Sequence, residues 1–378
     1  MTPPQPIRKV LMTADSVGGV WTFALQLASE LGRRGVEVTL LVMGGKPSAD
    51  QAAEAGALKN VSLLGTDFRL EWMSEPEADL QLSGELLLEL EAEQRPDIVH
   101  LNGYGHAALP FSAPVLVTAH SDVSSWWHAC RRTPLPVEWS LYEERVRAGV
   151  EAADMVVAPT AAYFREFGSH HGAPRAHRII ANGRDPAAFA GAAKRAMALG
   201  AGRLWDEAKN IGTLCKAAEG ISWPILIAGE TTSPDGSTLA TPANVVCLGR
   251  LPSQDIAARM AEAAVFASPA RYEPFGLAIL EAALSGCALV LGDIPTLREL
   301  WDDAALFVDP DDADALRDTM EALLFDPERA ELLGQSARRR ARRYSAARMG
   351  EAYLDLYRTL AEARPHRFRP TLPLRASA

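Results

Sequence analysis

Two glutamates eight positions apart, Glu273 and Glu281, flank the segment Pro274-Phe275-Gly276-Leu277 and the helix-forming run that follows it to Leu284. Pro274 and Gly276 punctuate a loop, and the run from Leu277 predicts a helix. A helix start leaves backbone N–H groups unpaired at the positive end of its dipole, a ready seat for a phosphate or diphosphate. Carboxylates beside such a seat repel the phosphate itself. They suit hydroxyls on either side of it, such as those of a sugar and a ribose. The spacing alone says little in a chain with 48 acidic residues. Glu-Pro-Phe-Gly-Leu followed by the second Glu says much more.

A diphosphate seated there requires positive charge to balance it, from a metal or from fixed cations and N–H dipoles. No metal-ligand constellation is evident, since Asp302-Asp303 and Asp309-Pro310-Asp311-Asp312 read as exposed acidic turns. Arg203 and Lys209 supply fixed cations on a strand–helix connection; by residue type alone they are equally an ordinary surface pair. Gly18 and Gly19 would admit a diphosphate close to the backbone, or simply make a tight turn. Their pattern does not match G-x-G-x-x-G, which disfavours a dinucleotide-dependent dehydrogenase. His120 ends a strand, at the carboxyl edge where open α/β sheets bind ligands. Trp126, Trp127 and Trp139 gather near His128, Arg131 and Arg132, a mixture of stacking and charge that suits an acceptor sugar or lipid headgroup. Core packing explains the same residues, and both readings stand.

The elements that must position these residues alternate along the chain. Apolar runs at Ile7–Ala14, Val36–Met43, Asp97–Leu101, Pro114–Ala119 and Asp154–Ala158 predict strands of a first parallel sheet. Leu80 to Gln94 predicts an acidic amphipathic helix, and Phe23, Leu27 and Leu31 predict one stopped by Gly32 or Gly35. A second domain is predicted to begin near Arg175, with a strand at His177. Ala196–Gly202, Pro224–Ala228, Asn244–Leu248, Ala264–Ala267, Ala288–Leu291 and Ala305–Val308 follow as strands. Residues 231–241 predict a loop. A helical tail carries Arg338, Arg339, Arg340, Arg342 and Arg343, read as a solvated basic face or an anionic membrane or partner contact. Tyr353, Leu356, Tyr357 and Leu360 continue it at helical spacing, and an irregular end is expected from Arg364.

Composition sets the bounds. The 378 residues suffice for two domains, and 48% hydrophobic with 23% charged content is globular. A net charge of −10 argues against general nucleic-acid binding. The four cysteines form no C-x-x-C pair and read as reduced core residues. No run is long enough for a membrane span, and the N-terminus lacks a signal-peptide core. A cytoplasmic protein, with a peripheral contact at the inner membrane face left open, is the expectation.

With these motifs the chain resembles glycosyltransferase family 4, the retaining nucleotide-sugar enzymes with two Rossmann-like domains, over nearly its whole length. The resemblance implies an α/β GT-B fold whose two doubly wound domains face each other across a cleft: residues 1–174 on the acceptor side, 175–345 binding the donor, and 346–378 returning to the first domain. It implies that Arg203 and Lys209 grip the diphosphate, Glu281 takes the ribose hydroxyls, Glu273 the donor sugar, and His120 lies beside that sugar. Phe275, Gly276 and Leu277 would offer N–H groups, Gly18 and Gly19 would approach the diphosphate, and Leu248, Gly249 and Arg250 would hold the base. Trp126, Trp127 and Arg131 are the acceptor candidates. The family's Asn-Gly-Val-Asp stands here as Asn182-Gly183-Arg184-Asp185, with Asn182 among the donor-site candidates.

The implied activity is metal-independent, retaining transfer of a hexose from UDP-glucose or GDP-mannose to an unidentified hydroxyl, in polysaccharide or glycoconjugate synthesis, without a cofactor. A UDP-sugar epimerase and a non-catalytic nucleotide-sugar binding protein are the alternatives.

Overall fold

The short apolar runs fold as two separate sheets in which every strand pairing is parallel. The computed structural model describes residues 6–189, 191–232 and 241–363. Most of the loop expected at 231–241, and all of the irregular end expected from Arg364, lie outside the described residues. The first sheet contains β1 (Lys9–Asp15), β2 (Glu37–Met43), β3 (Val61–Gly65), β4 (Ile98–Leu101), β5 (Val115–Thr118), β6 (Met155–Ala158) and β7 (His177–Ile179). Their order is β3-β2-β1-β4-β5-β6-β7. The second contains β8 (Arg195–Ala201), β9 (Ile225–Ala228), β10 (Val245–Gly249), β11 (Ala263–Ser268), β12 (Ala288–Gly292) and β13 (Leu306–Val308), in the order β10-β9-β8-β11-β12-β13.

β4, β5 and β6 are buried along their whole length, so they read as unbroken apolar runs instead of alternating ones. Strand order reverses once in each sheet, between β1 and β4 and between β8 and β11. At such a reversal the connections leave to opposite faces and open a crevice at the carboxyl ends of the strands. The fold is therefore the α/β pair of Rossmann-like domains that the sequence implies.

Two expectations need correction. The strand at His177 belongs to the first domain: β7 pairs with β6, through Val156 opposite His177 and Ala158 opposite Ile179. The boundary thus falls between β7 and β8, after residue 179 and not at 174. β3 is not among the predicted strands. It is an edge strand whose residues are exposed or only half-buried, so it carries no apolar run.

The last described helix, Ala346–Ala363, crosses back to the first domain. Its Met349, Tyr353, Leu356, Tyr357 and Leu360 share one buried cluster with Val10 and Met12 of β1 and Leu27 of the helix Gly19–Gly32. Two residues, one from each of β4 and β5, are pinned beneath it. The Tyr357 hydroxyl lies 2.6 Å from His100 Nδ1, His100 Nε2 2.7 Å from Thr118 Oγ1, and Thr118 Oγ1 3.1 Å from the Tyr353 hydroxyl. Where the chain passes between domains, its two crossings lie side by side, with Arg184 N donating to Tyr344 O and Ala346 N to Arg184 O. Among the described residues no helix is long and apolar enough to cross a membrane. In the basic tail Arg340 is tied internally, its Nε donating to Leu300 O and its guanidinium paired with Asp303.

Candidate active site

The helix predicted at Leu277 runs Leu277–Leu284, and Gly276 precedes it at φ 87° and ψ 69°. That left-handed conformation suits glycine, and a Cβ there would also fall 2.8 Å from Ile279 Cδ1. Among the described residues no side chain caps the helix start, so its N–H groups are available to an anion. Opposite it, across the domain boundary, stand Gly18 and Gly19 at the head of the helix Gly19–Gly32. A Cβ on Gly19 would lie 3.5 Å from Leu277 Cδ1. The two glycine-bearing helix starts therefore face each other, one from each domain. Phe275 is buried and packs against Tyr344.

The cations come from the turn after β8. Lys209 Nζ pairs with Glu273 Oε2 at 2.5 Å, linking that turn to the loop before the helix start. Arg203 Nη2 pairs with Asp206 Oδ2 at 2.6 Å, and its guanidinium lies 5.0 Å over the Trp205 ring. Asp206 is nearly buried. Burial pushes its carboxyl up, but Arg203 and Lys209 outweigh that and hold it below the usual range. Arg203 and Lys209 thus each have their own carboxylate, which fixes their direction and leaves further N–H donors that could serve an anion.

His120 follows β5 in the first domain. Burial pushes its pKa down to about 3, so the ring is neutral. Asn102 Nδ2 donates to Thr13 O at 2.6 Å, which turns the amide oxygen towards His120 Nε2, 2.7 Å away. The proton therefore sits on Nε2, and Nδ1 keeps a lone pair that can accept a hydroxyl hydrogen bond. The Phe23 ring packs edge-on against the imidazole at 4.5 Å.

Glu281 lies on the helix after Gly276, and Arg184 Nε stands 2.8 Å from its Oε1. The approach is off the N–H direction, so the contact is ionic instead of a directed hydrogen bond. Burial raises the Glu281 carboxyl above its usual pKa, with Arg184 opposing. Arg184 also reaches Gln26 Oε1 of the first domain at 3.3 Å and lies 5.3 Å over the Phe189 ring. Asn182 is buried beside it, with no hydrogen bond to its Oδ1 among the described residues. Leu248 and Gly249 close the edge strand β10 and Arg250 follows it; Gly249 O accepts from Gly229 N.

The residues suggested for an acceptor make contacts of their own. Trp126 Nε1 donates to Asp206 Oδ1 at 3.2 Å, and Arg131 pairs with Glu207 at 2.6 Å, so both brace one domain on the other. Trp127 donates to Thr133 Oγ1 and lines a separate pocket with His128, Arg132 and His170.

Other braces carry no sequence signal. The Tyr272 hydroxyl lies 3.2 Å from Ser121 Oγ and accepts from Asp122 N, just beyond His120. Thr160 Oγ1 donates to Pro274 O, and both Glu299 oxygens accept from Ala161 N and Ala162 N, capping a helix of the other domain. Asp15 ends β1 directly before the glycine pair; its electrostatic coupling to Arg203 reaches across the cleft. Among the described residues no group of three or more His, Cys, Asp and Glu side chains could hold a metal ion.

Comparison with known proteins follows this geometry. Residues 17–188 match the model described as Glycosyltransferase Family 4, and residues 184–340 match Glycosyl transferases group 1. The chain belongs to glycosyltransferase family 4. It is a glycosyltransferase. D-rhamnosyltransferase WbpZ of Pseudomonas aeruginosa is 25% identical over 88% of this chain and 90% of its own. D-inositol 3-phosphate glycosyltransferase of Saccharomonospora viridis is 28% identical over 90% of this chain and 89% of its own. Among solved structures, sucrose-phosphate synthase from Thermosynechococcus elongatus superimposes with a TM-score of 0.79 at 20% identity, over 94% of this chain and 100% of that one. Anabaena HepE in complex with UDP-glucose gives a TM-score of 0.73 at 18% identity, over 94% and 98%.

Proposed function

We propose that this family 4 glycosyltransferase moves a hexose from a nucleotide diphosphate donor, UDP-glucose or GDP-mannose, to an acceptor hydroxyl with retention and without a metal. The observation that carries the reading is the convergence on one cleft of Arg203, Lys209 and the uncapped helix start at Gly276, with Glu273 and Glu281 on either side. Fixed cations and N–H dipoles there stabilise the charge that grows on the diphosphate as the glycosidic bond breaks. Glu281 takes the ribose hydroxyls, and Glu273 and neutral His120 take hydroxyls of the sugar. The course is front-side attack: the acceptor oxygen bonds to the anomeric carbon as the carbon–phosphate-oxygen bond breaks, and the acceptor proton passes to that phosphate oxygen. The likeness to a protein solved with UDP-glucose supports the donor class.

Incubation with UDP-, GDP- and ADP-sugars, with and without acceptors, tests the reading through release of free nucleotide. An acceptor-dependent release with retained anomeric configuration by NMR, undiminished by excess chelator, is expected. Interconversion of the donor sugar without acceptor, inversion, or strict dependence on added Mn²⁺ overturns it.

A further inference from the structure

One carboxylate in the turn after β8 serves both domains. Asp206 Oδ2 accepts from Arg203 Nη2 at 2.6 Å, while Oδ1 accepts from Trp126 Nε1 of the first domain at 3.2 Å and from Ala208 N at 3.0 Å. The Arg203 guanidinium, held at that carboxylate, lies over the Trp205 ring with 36% of its side chain still exposed. Trp126 belongs to the helix Val123–Arg131, whose two ends also touch the second domain. Arg131 pairs with Glu207, the next residue of the same turn, and the N-cap Asp122 donates its N–H to the Tyr272 hydroxyl of the motif loop. Backbone joins the turn to that loop, Arg271 N donating to Ala208 O at 2.9 Å. Ala208 and Tyr272 are buried in the first domain's own cluster, against which Trp126 packs.

Resting on the glycosyltransferase reading above, we infer that Trp126 and Asp206 are positioning residues for the diphosphate: the indole N–H, reaching across the domain boundary, orients the carboxylate that aims Arg203 at the phosphate on the sugar side. The side follows from the neighbours of the turn. Lys209 pairs with Glu273, the glutamate before the helix start, whereas Arg184 stands against Glu281 within the helix. Packing alone does not ask for the indole nitrogen: the Nε1 atoms of Trp205 and Trp301 are buried with no hydrogen bond among the described residues. Trp126 instead spends its single donor on a carboxylate of the other domain. Asp206 is only 6% exposed, so water does little to fix its direction. Without the indole, Oδ1 keeps the Ala208 N–H alone. The carboxylate can then turn about its Cβ–Cγ bond, a broad torsion, and carry the guanidinium with it. A planar guanidinium meets phosphate oxygens well in few orientations, so a small turn weakens the contact. The aim of Arg203 thus depends on the helix Val123–Arg131 sitting on the turn, and the cation is presented fully only when the two domains touch there.

The test measures binding of UDP, GDP and ADP, each against its own monophosphate, to the full-length enzyme by calorimetry. A free diphosphate carries the charge that grows on the donor as its glycosidic bond breaks, so it reports on Arg203 without an acceptor. Trp126→Phe keeps an aromatic ring and removes the N–H. It is expected to lower the preference for diphosphate over monophosphate about 3- to 10-fold, with monophosphate affinity unchanged. Arg203→Ala is expected to lower the same preference about 10- to 100-fold. Trp126→Phe added to Arg203→Ala is expected to bring no further loss, because the indole acts through Arg203. Unchanged monophosphate binding shows that each variant is folded. An unaltered preference in Trp126→Phe, equal weakening of mono- and diphosphate, or losses that add in the double variant overturns the inference. A wild-type enzyme that binds none of the diphosphates, or binds them no better than the monophosphates, overturns the donor reading instead, so the two failures are distinct.

Discussion

Arg184 stands where the family pattern has valine, and its guanidinium lies against Glu281, the second glutamate of the motif, 2.8 Å from Oε1. The departure and the motif are thus one unit. Both side chains are largely buried, at 16% and 12% exposure, so each depends on the other's charge. Arg184→Val strands a buried carboxylate, an effect of about 3 kcal/mol for such a pair. The Glu281 pKa is raised in the folded state. A carboxyl shifted in that direction favours the fold at low pH, and this contribution is lost as pH rises through the folded pKa. Arg184→Val raises that pKa further, so its destabilisation in urea is expected to be larger at pH 8 than at pH 5. Adding Glu281→Gln to it is expected to recover most of the loss.

Lys209 is expected to matter more for turnover than for binding. Charge on the diphosphate grows in the transition state, and one charge-assisted contact amounts to about 1.5–3 kcal/mol. Lys209→Ala is therefore expected to lower kcat by roughly one to two orders of magnitude, with donor KM little changed. Because Lys209 is paired with Glu273, Glu273→Gln is expected to lower kcat too. Steady-state kinetics on both variants checks this.

Tyr272 offers a test of how the motif loop is anchored. Its ring is buried in the first domain's core, and its hydroxyl meets Ser121 and Asp122. Tyr272→Phe loses hydrogen bonds amounting to about 1 kcal/mol. Tyr272→Ala leaves a cavity and is expected to cost about 3–5 kcal/mol. Urea unfolding of the two variants gives the difference.

Acid stability is expected to reflect two histidines. Burial depresses both His100 and His120 to about 3. A histidine shifted down stabilises the fold above its unfolded pKa, and that contribution is lost as pH falls towards the folded value. Each adds a slope of about 1.4 kcal/mol per pH unit between roughly 6 and 3. His100→Gln is expected to lower stability overall yet flatten the acid limb of a plot of stability against pH, measured by calorimetry.

The legible parts of this molecule are those in which function or burial leaves a pattern along the chain. Strands such as β5 and β12, buried throughout, stand out as apolar runs. The loop and helix start at Pro274 to Leu284 are local, so one stretch of sequence carries them. β7 is three exposed residues, His177 to Ile179, and nothing in them says which sheet they join. Trp126 and Arg131 show a different limit, because stacking on a sugar and bracing a domain ask for the same residue types. Tyr272, Glu299 and the partner of Arg184 depend on contacts between segments far apart in sequence, which leave no periodicity to read.

The return of the helix Ala346–Ala363 to the first domain has a consequence for synthesis. Tyr353 and Tyr357 cover one face of the first sheet and lock onto Thr118 and His100. The ribosome makes that sheet first and its cover last. At about 5–20 residues per second, the interval between β7 and this helix is roughly 10–30 s. During that time the nascent first domain presents a bare apolar face and a His100 whose Nδ1 lacks its tyrosine partner. The N-terminal half is thus the part of the chain that needs a chaperone's protection, and a premature stop codon anywhere before 346 leaves it without a complete core.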